Sequence, residues 1–488
     1  MYYPSLSAAR TIRQKGFLIP LKKEIDYKGC PQDFYKSASG SFLLESCRYN
    51  VNTGRFSFVG AEPFLTFKSK RDNISIISKG SQESFRADPV KTLRSLFYKY
   101  RSVKLPGING FTGGAVGYFS YDCRHLFEDL PAAAHDDLGM FDIFLMFVDT
   151  LAVFDHVKNK VSIISNIYPD EPFEKAYNKA AERIERMESS LRGAPTKPER
   201  RSNLSLSDGV NFHSTFTKDG FEEVVRRAKE HIAAGDIYQA NLSQRFCFDI
   251  HGIDAFELYK NLSRINPSPF ACFMDLGDFK IASSSPERLV KLEGDLVETR
   301  PIAGTRPRGK TVSEDASLSC ELILSDKERA EHIMLVDLER NDLGRVCRYG
   351  SVRVNELMVI EPYSHVMHIV SNVFGRLRPE ADRFDLLAAV FPGGTITGCP
   401  KIRCMQIIDE LEPVARNIYT GSVGYMDFNG DMDLNIAIRT FAIKDGKAYI
   451  QVGSGIVADS DPEKEYYETI YKAEALFEAI NVGKMQHI

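Results

Sequence analysis

The sequence predicts an α+β fold built on large antiparallel sheets. Three observations carry that expectation. Before residue 191 the chain is dominated by β-rich runs. Hairpin signals recur at 292–296 ("LEGDL"), 428–432 ("FNGDM") and 443–447 ("IKDGK"), and Asn-Gly and Asp-Gly turns twist in the sense that antiparallel strands need. Strands and helices mix without βαβ regularity, which excludes a doubly wound parallel sheet.

In chain order, "FTGGAVGYFSYD" and "FDIFLMFVDTLAVFDHVKNKVSIISNIY" read as strands joined by tight turns, and a helix follows at about 173–191. Residues 191–214 are rich in Pro, Ser and charge and read as a linker. It divides an N-terminal region, 1–190, from a C-terminal region, 215–484. Next come an amphipathic helix, a Gly-Asp turn at 235–236 and a strand. The run 421–457 reads as a three-stranded meander, and helices are predicted at about 326–342, 400–412 and 462–480.

The last helix shows how such a segment is fixed. Asp461 can cap it, Pro462 suits its first turn, and Glu463 and Glu465 suit the positive end of its dipole. Tyr466, Ile470, Ala473, Phe477 and Ile480 form one apolar stripe. Glu465, Glu468 and Lys472 form a second stripe at i, i+3 and i+7. It reads either as solvated ion pairs or as carboxylates aimed at a ligand.

Composition narrows the class. With 43% hydrophobic and 26% charged residues, the 488-residue chain has the profile of a soluble globular protein of two or three domain-sized units. A net charge of −4 gives no basic field for nucleic acid. No run reaches the roughly 18 apolar residues of a membrane span, and the start lacks the apolar core of a signal peptide. Nine scattered cysteines without a C-x-x-C pair point to reduced thiols and a cytoplasmic setting.

Candidate chemistry begins with "SDKERAEHIMLVDLERNDLGRV", 325–346, a second carboxylate-bearing helix. Ser325 and Glu328 have capping-box spacing. Glu331 lies one turn further, beside Ile333, Met334, Leu335 and Val336, which read as buried. A buried carboxylate must be paired or bound to a cation. Mg²⁺ takes such oxygens, often one or two from protein and the rest from water and substrate. The helices bearing Glu328 and Glu331, and Glu465 and Glu468, are therefore candidates to share one ion; a plain capping role for Glu328 stays open.

"FPGGTITGCPKIR", 391–403, is a Gly-rich loop feeding a helix, able to turn N–H groups to an anion. Cys399 stands where a P-loop needs lysine, so it is no Walker motif. "VGSGIVADS", 452–460, reads as a second Gly-rich turn. Glu287 sits near a strand end, placed for a general acid. His365 and His368 lie in a β-rich run, with no zinc-binding set of Cys or His. Arg439 reads as a strand arginine among apolar residues, expensive unless it meets an anion. Together these residues fit a small polyanion held against Mg²⁺.

"TRPIAGTRPRG", "KERAEHIMLVDLERNDLGRV", "FPGGTITGCPKIR", "IIDELEP" and "GSGIVADS" closely resemble the chorismate-utilising enzymes, whose members include anthranilate synthase component I and aminodeoxychorismate synthase component I. The resemblance spans about 215–480, and "SFLLES" at 41–46 extends it. It implies a sandwich-like core of large antiparallel sheets flanked by helices. It implies Glu331 and Glu468 as Mg²⁺ ligands, with Glu328 and Glu465 beside them, and Glu287 as the acid that helps the ring hydroxyl leave. It also implies a chorismate cradle of His368, Thr395, Tyr419, Arg439, Gly453, Gly455 and Lys472, with Gly304 and Thr305 of "PIAGT" on the substrate side.

Relatives that add water to chorismate carry a lysine base where this chain has Gln239. Glutamine cannot deprotonate water, whereas ammonia needs no base, so the resemblance implies amination. The ammonia should come from a separate glutamine amidotransferase subunit, because no nucleophile elbow for one is evident here. "YQANLSQRF", with Asn241, and "FPGGTITG" resemble the aminodeoxychorismate enzymes. Ala303, where some of them have lysine, and the opening "YPS…KGFLIPLKKEI" resemble anthranilate synthases. The expectation is amination to 4-amino-4-deoxychorismate, with anthranilate as the alternative product. Glu45 and Ser46 of "LLES", with Pro269 and Phe270 of "NPSPF", resemble the family's L-tryptophan pocket. A non-catalytic amino-acid sensor that kept only this pocket would have no need of Glu287, Glu331 and Glu468 together.

Overall fold

The structure is a computed structural model and describes residues 1–47, 54–192, 212–362 and 366–480. Among these residues two large sheets, of 13 and 12 strands, build the core. At the centre of the first sheet run Phe42–Glu45, Phe270–Asp275, Phe279–Ser285, Thr440–Lys444, Lys447–Ile456 and Gln239–Asp249, in that order. The second runs Ile302–Pro307, Val366–Arg376, Leu296–Thr299, Arg288–Glu293, Met432–Asn435, Ser422–Asp427, Gly114–Phe119 and Ile143–Val148, then on to an edge at Ser81–Arg86. The ladders around the centre are antiparallel.

The sheets face one another across an apolar layer. Phe42, Phe58, Cys272 and Ile281 of the first meet Val116, Tyr118, Phe144 and Val423 of the second. "IFLMFV", 143–148, is buried at all six positions, which is why this strand reads as one continuous apolar run rather than an alternating one. The edge strand "SQESFR" is mostly exposed, and its charge discourages pairing with another chain. Helices close the outer faces. Phe173–Arg192, Ala255–Ile265 and Pro462–Ile480 pack on the first sheet. Pro89–Lys99, Asp326–Gly344 and Arg383–Val390 pack on the second. This is the predicted α+β sandwich with flanking helices.

Several local expectations are corrected. The run 421–457 is not a three-stranded meander: Ser422–Asp427 and Met432–Asn435 belong to one sheet, and Thr440–Lys444 and Lys447–Ile456 to the other. Each hairpin turn is present, but a turn fixes only its own two strands. Gly453 and Gly455 lie in an extended strand, not a turn. Phe212–Ser214, read as the end of the linker, forms a short strand on Gln239–Asp249; the linker's residues 193–211 lie outside the described residues. The sheets also run across that boundary, with Phe42–Glu45 pairing Phe270–Asp275 and Gly114–Phe119 pairing Ser422–Asp427.

Candidate active site

Two crossings carry the chain from one sheet to the other, and they lie side by side. The first, after Ser285, holds Glu287; the second, between Asn435 and Thr440, holds Arg439. Ile436 N–H donates to the Glu287 carbonyl at 3.0 Å and Ser284 N–H to the Arg439 carbonyl at 3.1 Å. Ser285 Oγ donates to the Ile436 carbonyl at 2.6 Å. Arg439 is thus not a strand residue. It sits in the left-handed region at φ 51°, a conformation that costs a non-glycine residue about 1–3 kcal/mol and clusters at functional sites.

Glu287 is only 4% exposed. Burial pushes its carboxyl up to about 7, and the Thr395 side chain, the Ile302 backbone and the Arg439 charge pull it partly back. Near neutrality a large fraction therefore carries its proton, as a general acid must. Thr395 follows Gly394, whose Cα is packed so closely by Leu338 that a Cβ would lie 2.2 Å from its Cδ2.

His368 is buried on the strand Val366–Arg376. Its Nδ1 lies 3.0 Å from both the Gly304 carbonyl and Thr305 Oγ1. The carbonyl requires Nδ1 to be the protonated nitrogen, assigned from this network. Burial, then the Arg439 charge, lowers the imidazole to about 4, so it is neutral at neutral pH. Gly304 bulges out of the ladder between Ala303 and Thr305, at φ 62°. A Cβ there would meet Glu328 Oε2 at 3.0 Å, so the bulge needs glycine twice over. His365 lies outside the described residues.

The glutamates divide. Gln239 Nε2 donates to Glu331 Oε1 at 3.3 Å. Burial raises the Glu331 carboxyl, the Glu328 and Glu468 charges raise it further, and Gln239 and Lys472 pull it back. Glu328 pairs with Arg306 at 3.2 Å. Ser325 accepts from Glu328 N–H, yet no reciprocal bond from the Glu328 side chain completes the box. Ile333, expected buried, is 42% exposed. Glu468 is exposed and pairs with Lys472 at 2.7 Å. Glu465 is instead buried, drawn to Ser460 and Ser454 as well as lying near Glu468. Among the described residues no three His, Cys, Asp or Glu side chains converge as a metal-binding group.

Missing side chains at Gly453 and Gly455 shape the floor. A Cβ on Gly455 would lie 2.4 Å from Gln239 Nε2, and one on Gly453 would lie 2.6 Å from Asn241 Oδ1 and 2.8 Å from the Tyr419 hydroxyl. Lys472 Nζ donates to the Gly453 carbonyl at 3.1 Å, tying the last helix to this strand. Burial raises the Tyr419 phenol, which stays protonated. The loop's helix begins at Lys401, whose ammonium is held by Asp342 at 2.5 Å and by the Val390 carbonyl at 3.2 Å.

Arg416 was not legible as part of the site. It is 2% exposed and pairs with Glu412 at 2.6 Å. It also donates to the carbonyls of Asn241 (2.6 Å) and Ile396 (3.0 Å), and its guanidinium lies 5.5 Å from the Tyr419 ring centre. It therefore ties three site segments together, and breaking such a buried pair costs about 3–5 kcal/mol. In sequence, Glu412 and Arg416 look like any surface i, i+4 pair.

A separate cavity of about 370 Å³ lies between the sheets, lined among others by Glu45, Ser46, Pro269, Phe270, Arg288 and Asp433. The four residues of the predicted tryptophan pocket are thus brought together. Ser46 Oγ lies within bonding distance of the Phe56 (3.0 Å) and Pro269 (3.1 Å) carbonyls. The Glu45 carboxylate accepts from Tyr259 (2.5 Å) and Gln32 (2.9 Å). Arg288 pairs with Asp433 at 2.9 Å and covers the Phe270 ring.

Among the described residues no helix is long and apolar enough to cross a membrane. The family model described as chorismate binding enzyme matches residues 47–478. The chain is 43% identical to anthranilate synthase component 1 of Acetivibrio thermocellus, over 98% of this chain and 99% of that one. It is 44% identical to aminodeoxychorismate synthase component 1 of Bacillus subtilis, over 97% and 98%. Among solved structures, anthranilate synthase component I of Streptococcus pneumoniae matches with a TM-score of 0.77 at 32% identity, covering 98% of both chains. The menaquinone-specific isochorismate synthase of Escherichia coli shares the fold, with a TM-score of 0.72 at 18% identity over 97% of this chain and 98% of that one.

Proposed function

This chain belongs to the chorismate binding enzyme family, and on that premise we propose that it aminates chorismate to 4-amino-4-deoxychorismate. The observation that carries amination is Gln239. It stands at the site, its amide donating to Glu331, and it offers no base to activate water. Ammonia is a nucleophile without one. The polar Asn241 beside Gly453 and the "FPGGT" loop favour the para position. Ala303, which lacks the lysine of some para enzymes, favours the second reading, formation of anthranilate.

In the proposed reaction ammonia's lone pair forms the new C–N bond, the Glu287 carboxyl donates its proton to the departing ring hydroxyl, the C–O bond breaks and water leaves, and the product carries its nitrogen as an ammonium group. Arg439 supports a substrate carboxylate and adds a small pull to that of the Thr395 side chain and the Ile302 backbone on the Glu287 carboxyl. His368 is neutral and locked by its Nδ1–H on the Gly304 carbonyl. Glu331 and Glu468 would hold Mg²⁺, with Glu328 and Glu465 outside them. The fit rests on Glu331, whose carboxyl is raised by burial and then by the Glu328 charge on its own helix and the Glu468 charge on the last one, a repulsion that a hard cation relieves. When bound, the ion neutralises the substrate's ring carboxylate. Ammonia would be delivered by a glutamine amidotransferase subunit.

The test is purified protein with chorismate, Mg²⁺ and an ammonium salt. The expected product is non-fluorescent and yields p-aminobenzoate only after a 4-amino-4-deoxychorismate lyase is added. Anthranilate fluorescence appearing directly overturns the para assignment. The cavity at Glu45 and Ser46 is the proposed seat for L-tryptophan. The chain contains no tryptophan, so added L-tryptophan should show a blue-shifted, saturable emission against a dark background. A strictly linear, unshifted signal up to millimolar ligand would refute that occupant.

A further inference from the structure

Four buried polar atoms lie behind the site without a well-formed hydrogen bond among the described residues, Glu287 Oε1, Thr395 Oγ1, Thr299 Oγ1 and Glu339 Oε2, with the Thr395 side chain turned towards Glu287 and the Thr299 side chain towards Glu339. Buried polar atoms are normally satisfied, by protein or by ordered water, so a cluster of four calls for an explanation. They share one wall. Glu339 faces Thr299 and Glu287 faces Ile302, the two ends of the short stretch 299–302. The helix that bears Glu339 also packs on the loop that bears Thr395: Leu338, next to Glu339, lies against Gly394, and Thr395 faces Glu287. Both carboxyls therefore lie against the stretch 299–302, near enough to interact.

Glu339 is 8% exposed and within electrostatic reach of Glu287 and of Asp342, both of which disfavour its ionisation, and of Lys401, which favours it. Burial raises it well above the ordinary carboxylate range. One turn along the helix, Asp342 pairs with Lys401 at 2.5 Å. Beside it Asn341, Gly344 and Arg345 are exposed. A carboxyl with only a packing role would gain nothing from a second carboxyl at its side.

We propose that Glu339 supplies the proton that restores Glu287 after each turnover. This rests on Glu287 being the general acid. Once Glu287 has given its proton to the leaving hydroxyl, the Glu339 O–H bond breaks and a proton passes to the Glu287 carboxylate. Thr299, which faces Glu339, and Thr395, which faces Glu287, flank the transfer. Glu339 is then reprotonated from solvent on the side of Asp342. No electrons move, and the balance is one proton in for each water released. Glu339 acts only through Glu287 and touches no substrate.

The experiment compares Glu339→Gln, Glu339→Asp and Glu287→Gln in the full chain with chorismate, Mg²⁺ and fixed free ammonia. Glu339→Gln should lower kcat about tenfold with KM for chorismate unchanged. Its alkaline limb should move to lower pH, because Glu287 must then recover its proton directly from solvent, which slows as pH rises. The groups facing the pair, Arg439, Asp342 and Lys401, are unaltered. Glu339→Asp should recover part of the rate and the wild-type limb. Melting temperatures of each variant over the same pH range separate a shifted limb from pH-dependent unfolding. If Glu287→Gln is inactive while Glu339→Gln keeps the wild-type profile and a kcat within twofold, the relay is wrong and the acid stands. If Glu287→Gln itself turns over normally, the underlying reading fails instead.

Discussion

Glu287→Gln is expected to lower kcat by about 10²–10⁴-fold, the range general acid catalysis supplies, while chorismate still binds. The substitution keeps shape and polarity and removes only the proton that a hydroxide leaving group needs. The pH dependence of the wild type should show the same group. Its carboxyl is raised to about 7, and the protonated form is the active one. Turnover is therefore full below that value and lost as pH rises through it. Free ammonia itself rises with pH, so the profile must be taken at constant free ammonia or the two effects cancel. A wild-type rate that stays level from pH 6 to pH 9 under that condition would refute the role. So would a Glu287→Gln variant within fivefold of wild type.

What made Glu287 findable was its place near a strand end, at the position where the family resemblance also puts the acid. What made Arg439 mislead was its apolar context. Ile436 and Ala437 are buried because they line a crossing between sheets, and a crossing has no local signature distinct from a strand. Hairpins were legible because a two-residue turn is written in adjacent residues. The sheet that a hairpin joins is decided by pairing between distant segments, as when Ser283 and Thr440 meet hydroxyl to hydroxyl at 2.8 Å. The two carboxylate helices were legible from spacing. Which carboxylates turn inward was not: Glu465 is buried, whereas Glu468, one turn later, is exposed. Glu339 and Arg416 passed unnoticed because charge at helical spacing is normally solvated. Only the packed structure shows that these two are not.

Glu331→Gln is expected to abolish Mg²⁺-dependent turnover, by about 10³-fold or more if the ion carries the electrostatic part of catalysis, without destabilising the protein. The two halves of that prediction come from one observation. Glu331 is held up by burial and by the Glu328 and Glu468 charges. A carboxyl raised in the fold binds a proton more tightly folded than unfolded. Its ionised form therefore costs stability, and that cost is incurred as pH rises through the folded value. A neutral amide removes the cost and can still accept from Gln239. The variant should melt at the same temperature as wild type near pH 4 and at the same or a higher one at pH 8. Mg²⁺ should raise the melting temperature of the wild type at pH 8, because it binds the charged cluster, and should leave that of the variant unmoved. Glu468→Gln should lose the same turnover, although its side chain is exposed and its pair with Lys472 would be worth little as a surface ion pair. Near-normal Mg²⁺-dependent activity in either variant would refute the metal role. If both lose activity and both also lose stability at pH 8, the carboxylates are structural supports rather than a site kept under repulsion for a cation.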